Sequence, residues 1–300
     1  LDFRQLTKLK STYVDGLGKV IGDDGRIHTC FQNTVTATGR LSSAEPNLQN
    51  IPIRTPLGAE LRKMFVAGPG MALVDADYSQ IELRLLAHMA GDEKMIEAFR
   101  SGRDFHTVTA AQVFGVEPDQ VSAEMRRSAK AVNFGIVYGI SPFSLSQDLG
   151  VTVAEAKAYM DAYFHRFPGV KAYMDQVVER ARADGFVETP MHRRRALPEI
   201  KSSNHNMRSF GERVALNMPI QGAAADIIKL AMVRVHRHLK EAALEARLIM
   251  QVHDELIVEC PEAEADRVKA ILVREMEGAW PLSVPLIAEA HSGKSWLECH

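Results

Sequence analysis

The stretch Ala72-Leu73-Val74-Asp75-Ala76-Asp77-Tyr78-Ser79-Gln80-Ile81-Glu82-Leu83-Arg84 decides how the rest of the chain is read. A short apolar run stops at acids, and a helical pattern begins. By the two-residue period of a strand, Leu73, Asp75 and Asp77 share one face while Ala72, Val74 and Ala76 share the other. From Ile81, the residues Leu85, Leu86 and Met89 recur at helical spacing until Gly91 offers a C-terminal cap. The stretch predicts a strand that delivers carboxylates to the entrance of a helix. Acids at the C-terminal end of a sheet strand suit a metal or phosphate site, and equally a solvated turn or a helix cap. Alternation leaves Asp75 and Asp77 equivalent.

The chain around this stretch has 300 residues, 46% hydrophobic and 25% charged, which predicts a soluble globular protein of two or three packed units. No apolar run approaches the roughly 20 residues that span a bilayer, so no membrane association is expected. The first residues carry neither an initiator Met nor signal-peptide anatomy, and the chain reads as a fragment or processed piece. Cys30, Cys260 and Cys299 are odd in number and far apart, which indicates neither a disulfide framework nor a zinc knuckle and fits a reducing, cytoplasmic setting. A formal net charge of −2 excludes a uniformly basic coat, so a polyanion site must be built from local clusters. The clusters are Lys8 with Lys10, Arg62 with Lys63, Arg126 and Arg127 with Lys130, residues 192–195, and residues 234–240. About half of such runs are expected to be plain solvated faces.

Residues 1–20 carry a helical pattern through Leu6, Leu9 and Tyr13 with no obvious neighbour to pack on. Residues 27–36 predict strands, and residues 38–43 and 46–50 are rich in turn formers and amides, which predicts a polar surface segment. Residues 93–185 read as helices broken at 115–118, 139–142 and 167–169, followed by an extended ribbon over 186–200. A helix over 207–217 is predicted to stop before Pro219, and a second over 221–245 carries Ile227, Ile228, Ala231, Met232, Val235 and Leu239 on one face. Residues 248–252 and 255–259 read as strands joined at His253-Asp254 in a tight hairpin. A helix over 262–278 and a strand over 286–290 close the chain. This order predicts an α+β fold with a mainly antiparallel sheet and a large helical insertion.

On the helix that Ser122 would cap, Arg126, Lys130, Phe134 and Tyr138 fall four apart and form one stripe. Met125, Ala129, Val132 and Ile136 form another on roughly the opposite side. Cations suit phosphates and aromatic faces suit sugars and bases, so the exposed stripe is ordered like a nucleotide triphosphate. Gly135 and Gly139 are expected to let a base approach the backbone. The His253-Asp254-Glu255 turn projects acids from a rigid hairpin. Magnesium takes few protein carboxylates and fills its other positions with water and phosphate oxygens, so acids from two strands with a phosphate-binding helix would make a two-metal site.

Three segments in this order, Asp77-Tyr78-Ser79-Gln80-Ile81-Glu82-Leu83-Arg84, the 126–139 helix, and Gln251-Val252-His253-Asp254-Glu255, resemble the polymerase motifs of family A DNA polymerases. Residues 38–52 and 219–228 also look like family segments, so the resemblance covers nearly the whole chain and is nearest to the bacterial members. It implies a palm and fingers: residues 1–70 the base of the thumb and start of the palm, 71–92 the palm strand and helix with the first acid, 93–203 the fingers, and 204–300 the remaining palm.

The resemblance also implies the site. Asp77 and Asp254 would hold two Mg²⁺ ions, for which Mn²⁺ can substitute, with Glu255 a further candidate; Asp75 matches no metal position. Arg126, Lys130 and His106 would meet the dNTP phosphates, with Lys130 also the acid for the leaving pyrophosphate. Gln80, Phe134 and Tyr138 complete the implied dNTP contacts. Glu82 would exclude ribonucleotides by closing the space at the 2′ position, its carboxylate buried only with substrate bound. Phe at 134 rather than Tyr is the family variant associated with discrimination against dideoxynucleotides. Arg40, Gln49, Arg213, Asn217, Gln221 and His253 match positions along primer-template DNA, where minor-groove acceptors test pair geometry without reading sequence.

The implied function is template-directed DNA synthesis in replication and repair by a bacterial, nucleoid-associated monomer. The family's longer thumb and nuclease domains have no counterpart in this sequence, which predicts a weak grip on duplex, low processivity and no nuclease activity. A single-subunit RNA polymerase is disfavoured by Glu82 and by the match of all three motifs. Comparing dNTP with rNTP incorporation decides on that reading, and the other alternative is a nucleic-acid-binding module whose catalysis is lost through weak binding without its thumb, since the acids are intact.

Overall fold

The computed structural model describes residues 2–53 and 55–299. From the N-terminus come α1 (Asp2–Leu9), a π-helical turn (Lys10–Val14), α2 (Asp15–Gly18), the short strands β1 (Cys30–Gln32) and β2 (Ser42–Ala44), and α3 (Pro56–Ala59). The stretch that opens the sequence reading forms β3 (Met71–Tyr78) and α4 (Ile81–Ala90). Helices α5 (Glu93–Arg100), α6 (Phe105–Phe114), α7 (Ala123–Val137), α8 (Pro142–Leu149), α9 (Val153–Arg166) and α10 (Pro168–Asp184) follow. The hairpin β4 (Phe186–Glu188) and β5 (Arg194–Ala196) leads to α11 (His205–Glu241). Strands β6 (Arg247–Val252) and β7 (Glu255–Pro261), α12 (Ala265–Glu277) and β8 (Ala288–Gly293) complete the order. The fold is α+β, as the sequence predicts. Two compact units divide it: Leu1–Ser79 with Ala225–Trp280 and Ile287–His300, and Gln80–Ala224 with Pro281–Leu286.

The first unit is built on a sheet of order β6-β7-β3-β8 in which every pairing is antiparallel. Strand β3 is paired on both edges, and because its residues are buried on both faces its sequence reads as an apolar run rather than a strict alternation. Helix α12 packs on β3, β7 and β8, and the Tyr78 hydroxyl donates to the Met276 carbonyl at 2.6 Å. On the opposite face Leu73 joins a buried cluster with Leu17, Leu48, Ile51, Val252, Ile257 and Trp296. Burying each such aliphatic side chain contributes about 1.5–3 kcal/mol, which fixes the strand register against a slip that would turn these residues outward.

The second unit is helical except for the β4–β5 hairpin. Its helices start where the sequence places short polar side chains: Asp92, Asp104, Ser122, Ser141 and Thr152 each accept a backbone N–H of the first turn. Helix α4 stops at Gly91, whose left-handed conformation (φ 59°) is costly for a residue with a Cβ. Asp92 does a second task by accepting the Gly169 amide at 2.8 Å, which ties the start of α10 to the start of α5.

Several sequence expectations change. Pro219 does not end a helix: α11 runs 37 residues with the proline inside it. Met218 and Ile220 on either side are buried, as are Ala215, Ala223 and Ile227, and this burial outweighs the roughly 3 kcal/mol that an interior proline costs. The helix then ends at Glu241 rather than 245, where Ala243 turns into the left-handed region (φ 52°). The last strand lies at 288–293, displaced toward the C-terminus from 286–290. The segment 38–50 is more than a polar surface, since it contributes β2 and buries Leu48 under the sheet. At the N-terminus Phe3 and Leu6 are exposed, whereas Tyr13 and Leu17 do find a partner, packing on the first unit's core with the Tyr13 hydroxyl donating to the Asn50 carbonyl at 2.9 Å.

Candidate active site

In the first unit the end of β3 lies beside the β6–β7 turn. Asp77 pairs in register with Glu255, and the Tyr78 amide donates to the Asp254 carbonyl at 3.2 Å. The turn is a two-residue one, with Val252 opposite Glu255 and His253 in the left-handed region at φ 52°. No glycine relieves that conformation, so the sheet must hold it.

This arrangement separates two acids that alternation leaves equivalent. Asp77 is exposed and Asp254 is half-buried. Asp75 is 2% exposed, and its Oδ2 accepts the Trp296 indole N–H at 3.3 Å. Glu255 is 7% exposed, accepts the same N–H at 2.8 Å, and has the Arg62 guanidinium 3.7 Å away. Arg62 in turn lies 4.0 Å over the Trp296 ring. Burial first, and then the Glu255 charge, holds the Asp75 carboxyl well above the usual carboxylate range. Although Asp77 is exposed, desolvation by the surrounding protein, followed by the Asp254 and Glu255 charges, pushes its carboxyl up to about 7. Two reachable carboxylates thus stand in front of two buried ones.

His253, Gln49 and Arg40 belong to the same neighbourhood. Gln49 donates through Nε2 to the Gln251 carbonyl at 3.2 Å and accepts the Ser43 amide at 3.2 Å. Desolvation and then the Arg40 cation hold the His253 imidazole below its ordinary pKa.

In the second unit α7 presents the predicted stripe. Arg126, Lys130 and Tyr138 are exposed and Phe134 is half-buried, whereas Ala129, Val132 and Ile136 are buried; Met125 of the opposite stripe is only half-buried. Arg126 is held by Asp104 through two bonds of 2.7 and 3.1 Å. Against desolvation, which would raise it, Arg126 and Thr107 bring the Asp104 carboxyl down to about 2. Lys130 has no ion pair among the described residues. His106 is 3% exposed, its ring centroid is 5.9 Å from that of Phe134, and its Nδ1 is 2.9 Å from Asn133 Nδ2. Burial above all brings its imidazole down to about 4, so it is neutral at pH 7.

Glu82 departs from expectation. It is 4% exposed, and the Tyr138 hydroxyl donates to its Oε2 at 2.6 Å, where a carboxylate open to solvent is expected without a nucleotide. Gly135 departs too: a Cβ there would lie 2.8 Å from Ile140 Cγ2, so its missing side chain makes room for Ile140 rather than for a base. Gln80, in the left-handed region at φ 56°, begins α4 and leaves its Oε1 buried without a hydrogen-bond partner among the described residues. On α11, Arg213 is exposed and donates to Ser209 Oγ at 3.0 Å, Gln221 is half-buried, and half-buried Asn217 has an Oδ1 without a partner among the described residues.

Sequence reasoning missed Trp296, Arg62, Gln251, Asn133 and Asp104 as parts of these sites. Arg62 stood in a charge cluster with Lys63, but the structure divides the pair: Arg62 is buried while Lys63 bonds exposed Glu60 at 2.5 Å. Other clusters prove to be local pairs, such as Lys10 with Asp15 and Arg194 with Glu188. Asn133 and Asp104 did have a signal, since each is one residue from a helix position facing the stripe or begins the helix that carries His106.

Among the described residues no group of three or more His, Cys, Asp or Glu side chains forms a cage for a metal, and no helix is long and apolar enough to cross a membrane. The three cysteines are free.

Comparison with known proteins supplies the relationship. The sequence model described as DNA polymerase family A matches residues 1–298. DNA polymerase I of Lactococcus lactis subsp. lactis (strain IL1403) is 51% identical over 299 residues, 99% of this chain and 34% of that protein. The thermostable DNA polymerase I of Thermus filiformis is 52% identical over 299 residues, 99% of this chain and 36% of that protein. A solved structure, described as the POL domain of Pol1 from M. smegmatis in complex with DNA primer-template and dNTP, is 49% identical with a TM-score of 0.95, covering 99% of this chain and 52% of that one. The chain spans about a third of the length of the curated relatives it matches. With the match running across nearly every residue, the chain belongs to DNA polymerase family A.

Proposed function

We propose that this chain is the palm and fingers part of a bacterial, cytoplasmic DNA-directed DNA polymerase that acts in replication and repair as a monomer. In the reaction a primer 3′-hydroxyl attacks the α-phosphorus of a dNTP selected by the template, and pyrophosphate leaves. The observation that carries the reading is the pair of reachable carboxylates, Asp77 and Asp254, set at the end of β3 and on the adjoining turn in a chain of this family. The solved relative in complex with primer-template and dNTP supports the same ligands here.

The donor set suits magnesium. Two hard carboxylates, without a cage of three or more such ligands among the described residues, match an ion that keeps most of its positions for water and substrate phosphate. The crowding of Asp77 by Asp254 and Glu255 is a surplus of negative charge that a divalent cation would relieve. Two ions held by Asp77 and Asp254, when bound, would activate the attacking oxygen and neutralise the leaving pyrophosphate. Glu255 serves as support, because its carboxylate is already committed to Trp296 and Arg62.

The remaining residues align and select. Lys130 and Arg126 bind the triphosphate, Arg126 giving up Asp104 to do so, and Lys130 passes a proton to the pyrophosphate. His106 donates to a phosphate oxygen, Phe134 packs on the sugar, and Gln80 offers its unpartnered Oε1 to the nucleotide. Glu82 closes the 2′ space against ribonucleotides. Arg40, Gln49, His253, Arg213, Asn217 and Gln221 follow the minor groove of the primer-template, where Arg and amide donors meet acceptors common to every correct pair. Primer extension with Mg²⁺ on a matched template tests this function, and incorporation of rNTP in preference to dNTP would overturn it.

A further inference from the structure

Beyond the acids and the cationic stripe, the second unit contains a buried polar chain. Thr109 and Asn133 are 0% exposed and His106 is 3% exposed. Thr109 Oγ1 lies 3.0 Å from Asn133 Oδ1, and Asn133 Nδ2 lies 2.9 Å from His106 Nδ1. The other ring nitrogen, Nε2, has no partner among the described residues and is not a sealed, unsatisfied atom. The three residues come from two helices, α6 and α7, and α7 is the one that carries Arg126, Lys130 and Phe134.

The proton count restricts how this chain can be arranged. Thr109 has one hydroxyl hydrogen and two acceptors in reach, Asn133 Oδ1 and the Phe105 carbonyl, also at 3.0 Å. That carbonyl already has the Thr109 amide as its partner in the α6 ladder, whereas Asn133 Oδ1 is sealed from water and has no other donor. The hydroxyl therefore serves Asn133 Oδ1, and the structure sets Nδ2, on the other side of that amide, toward the imidazole. A donor facing Nδ1 requires a lone pair there, so the ring hydrogen sits on Nε2. The same N–H forbids a proton on Nδ1 and so opposes the imidazolium.

We infer that Asn133, oriented by Thr109, is a positioning residue that locks His106 as the neutral Nε2–H tautomer, so that the ring meets a nucleotide phosphate as a hydrogen-bond donor. In the opposite tautomer Nε2 would turn a lone pair toward the anion and repel it. The groups facing the ring are Asp104, Arg126 and Lys130, and Asp104 is already engaged by Arg126 and Thr107. The inference rests on the polymerase reading only for the identity of the anion.

The test uses the full chain with ¹⁵N-labelled histidine, reading the two ring nitrogens of His106 by long-range ¹H–¹⁵N correlation at pH 7, with His106→Gln giving the assignment. The wild type should show the Nε2–H tautomer. Thr109→Val should mix the tautomers, and Asn133→Asp should move the proton to Nδ1 or charge the ring. Thr109→Val should raise KM for dNTP by up to roughly ten-fold, the size of one hydrogen bond to a charged group, with little change in kcat. In a His106→Gln background Thr109→Val should add nothing to KM. If Asn133→Asp fails to fold, Thr109→Val, which only removes a hydroxyl of similar volume, still decides. An Nδ1–H or charged ring in the wild type would overturn the inference, as would tautomer and KM both unmoved by Thr109→Val. An Nε2–H ring in a chain that extends no primer would support the lock and count against the polymerase reading alone.

Discussion

Tyr138 donates its hydroxyl to Glu82 Oε2 at 2.6 Å, and so joins the last residue of the α7 stripe to the first turn of α4. The bond gives a buried carboxylate a donor. If Glu82 is the sugar gate, removing it opens the 2′ space, and Glu82→Ala should raise the ratio of rNTP to dNTP incorporation at least about ten-fold, since a lost steric clash is worth more than 1.4 kcal/mol. Single-nucleotide extension measures this, and an unchanged ratio would sink the steric argument. Tyr138→Phe should destabilise the fold by about 1–3 kcal/mol in urea titration, because it deprives a buried carboxylate of a donor.

Asp75 should behave as a neutral acid. Its carboxyl is held well above the usual range by burial and by Glu255, so the folded chain carries it protonated where the unfolded chain would ionise it. The sign follows: this group favours the fold at low pH and costs stability as pH rises from about 4. Asp75→Asn should therefore remove part of the wild type's loss of stability between pH 5 and 8, and leave primer extension near wild type. A variant less stable than wild type by the same amount at both pH values would contradict this.

His106 works in the other direction. Its imidazole is depressed to about 4, so the fold holds it neutral and the unfolded chain takes up the proton first. Its contribution is complete above the unfolded pKa of about 6.5 and is lost as pH falls toward 4. Wild type should lose about 2 kcal/mol relative to His106→Gln across that window, allowing for solvent screening, as read by denaturant midpoints at pH 7 and 4.5. The Asp104–Arg126 pair does not interfere, because Asp104 stays ionised until pH approaches 2. A constant difference between the two proteins would refute the assignment.

Gly211 offers a test of packing alone. A Cβ at this position would lie 2.7 Å from the Ile200 amide nitrogen and 2.9 Å from the Ile200 Cα, both backbone atoms that cannot swing aside. Gly211→Ala should cost about 2–3 kcal/mol although alanine favours helix, the penalty of overpacking. A stabilised variant would show that α11 and the Ile200 turn are not held as described.

Much of this was legible in the residues, and the failures share one cause. The β3-to-α4 transition, the two-residue hairpin and the α7 stripe follow from periodicity and caps, which are local. Alternation correctly put Asp75 and Asp77 on one face, but could not say that Trp296, 221 residues away in sequence, closes over Asp75 and not over Asp77. Pro219 reads as a stop because its missing N–H is local, while the burial that carries α11 through it is tertiary. Gly135 was assigned to an approaching base when Ile140 occupies the space beside it. Pairing between distant residues leaves no spacing to read.

Primer extension with magnesium, comparing wild type with Asp77→Ala, Asp254→Ala and Asp75→Asn, tests the central claim most directly. The account predicts a loss of at least about 100-fold for each of the first two, the scale on which removing a group that stabilises transition-state charge is felt, and near-normal extension for the third. Extension that survives Asp77→Ala but fails with Asp75→Asn would contradict it.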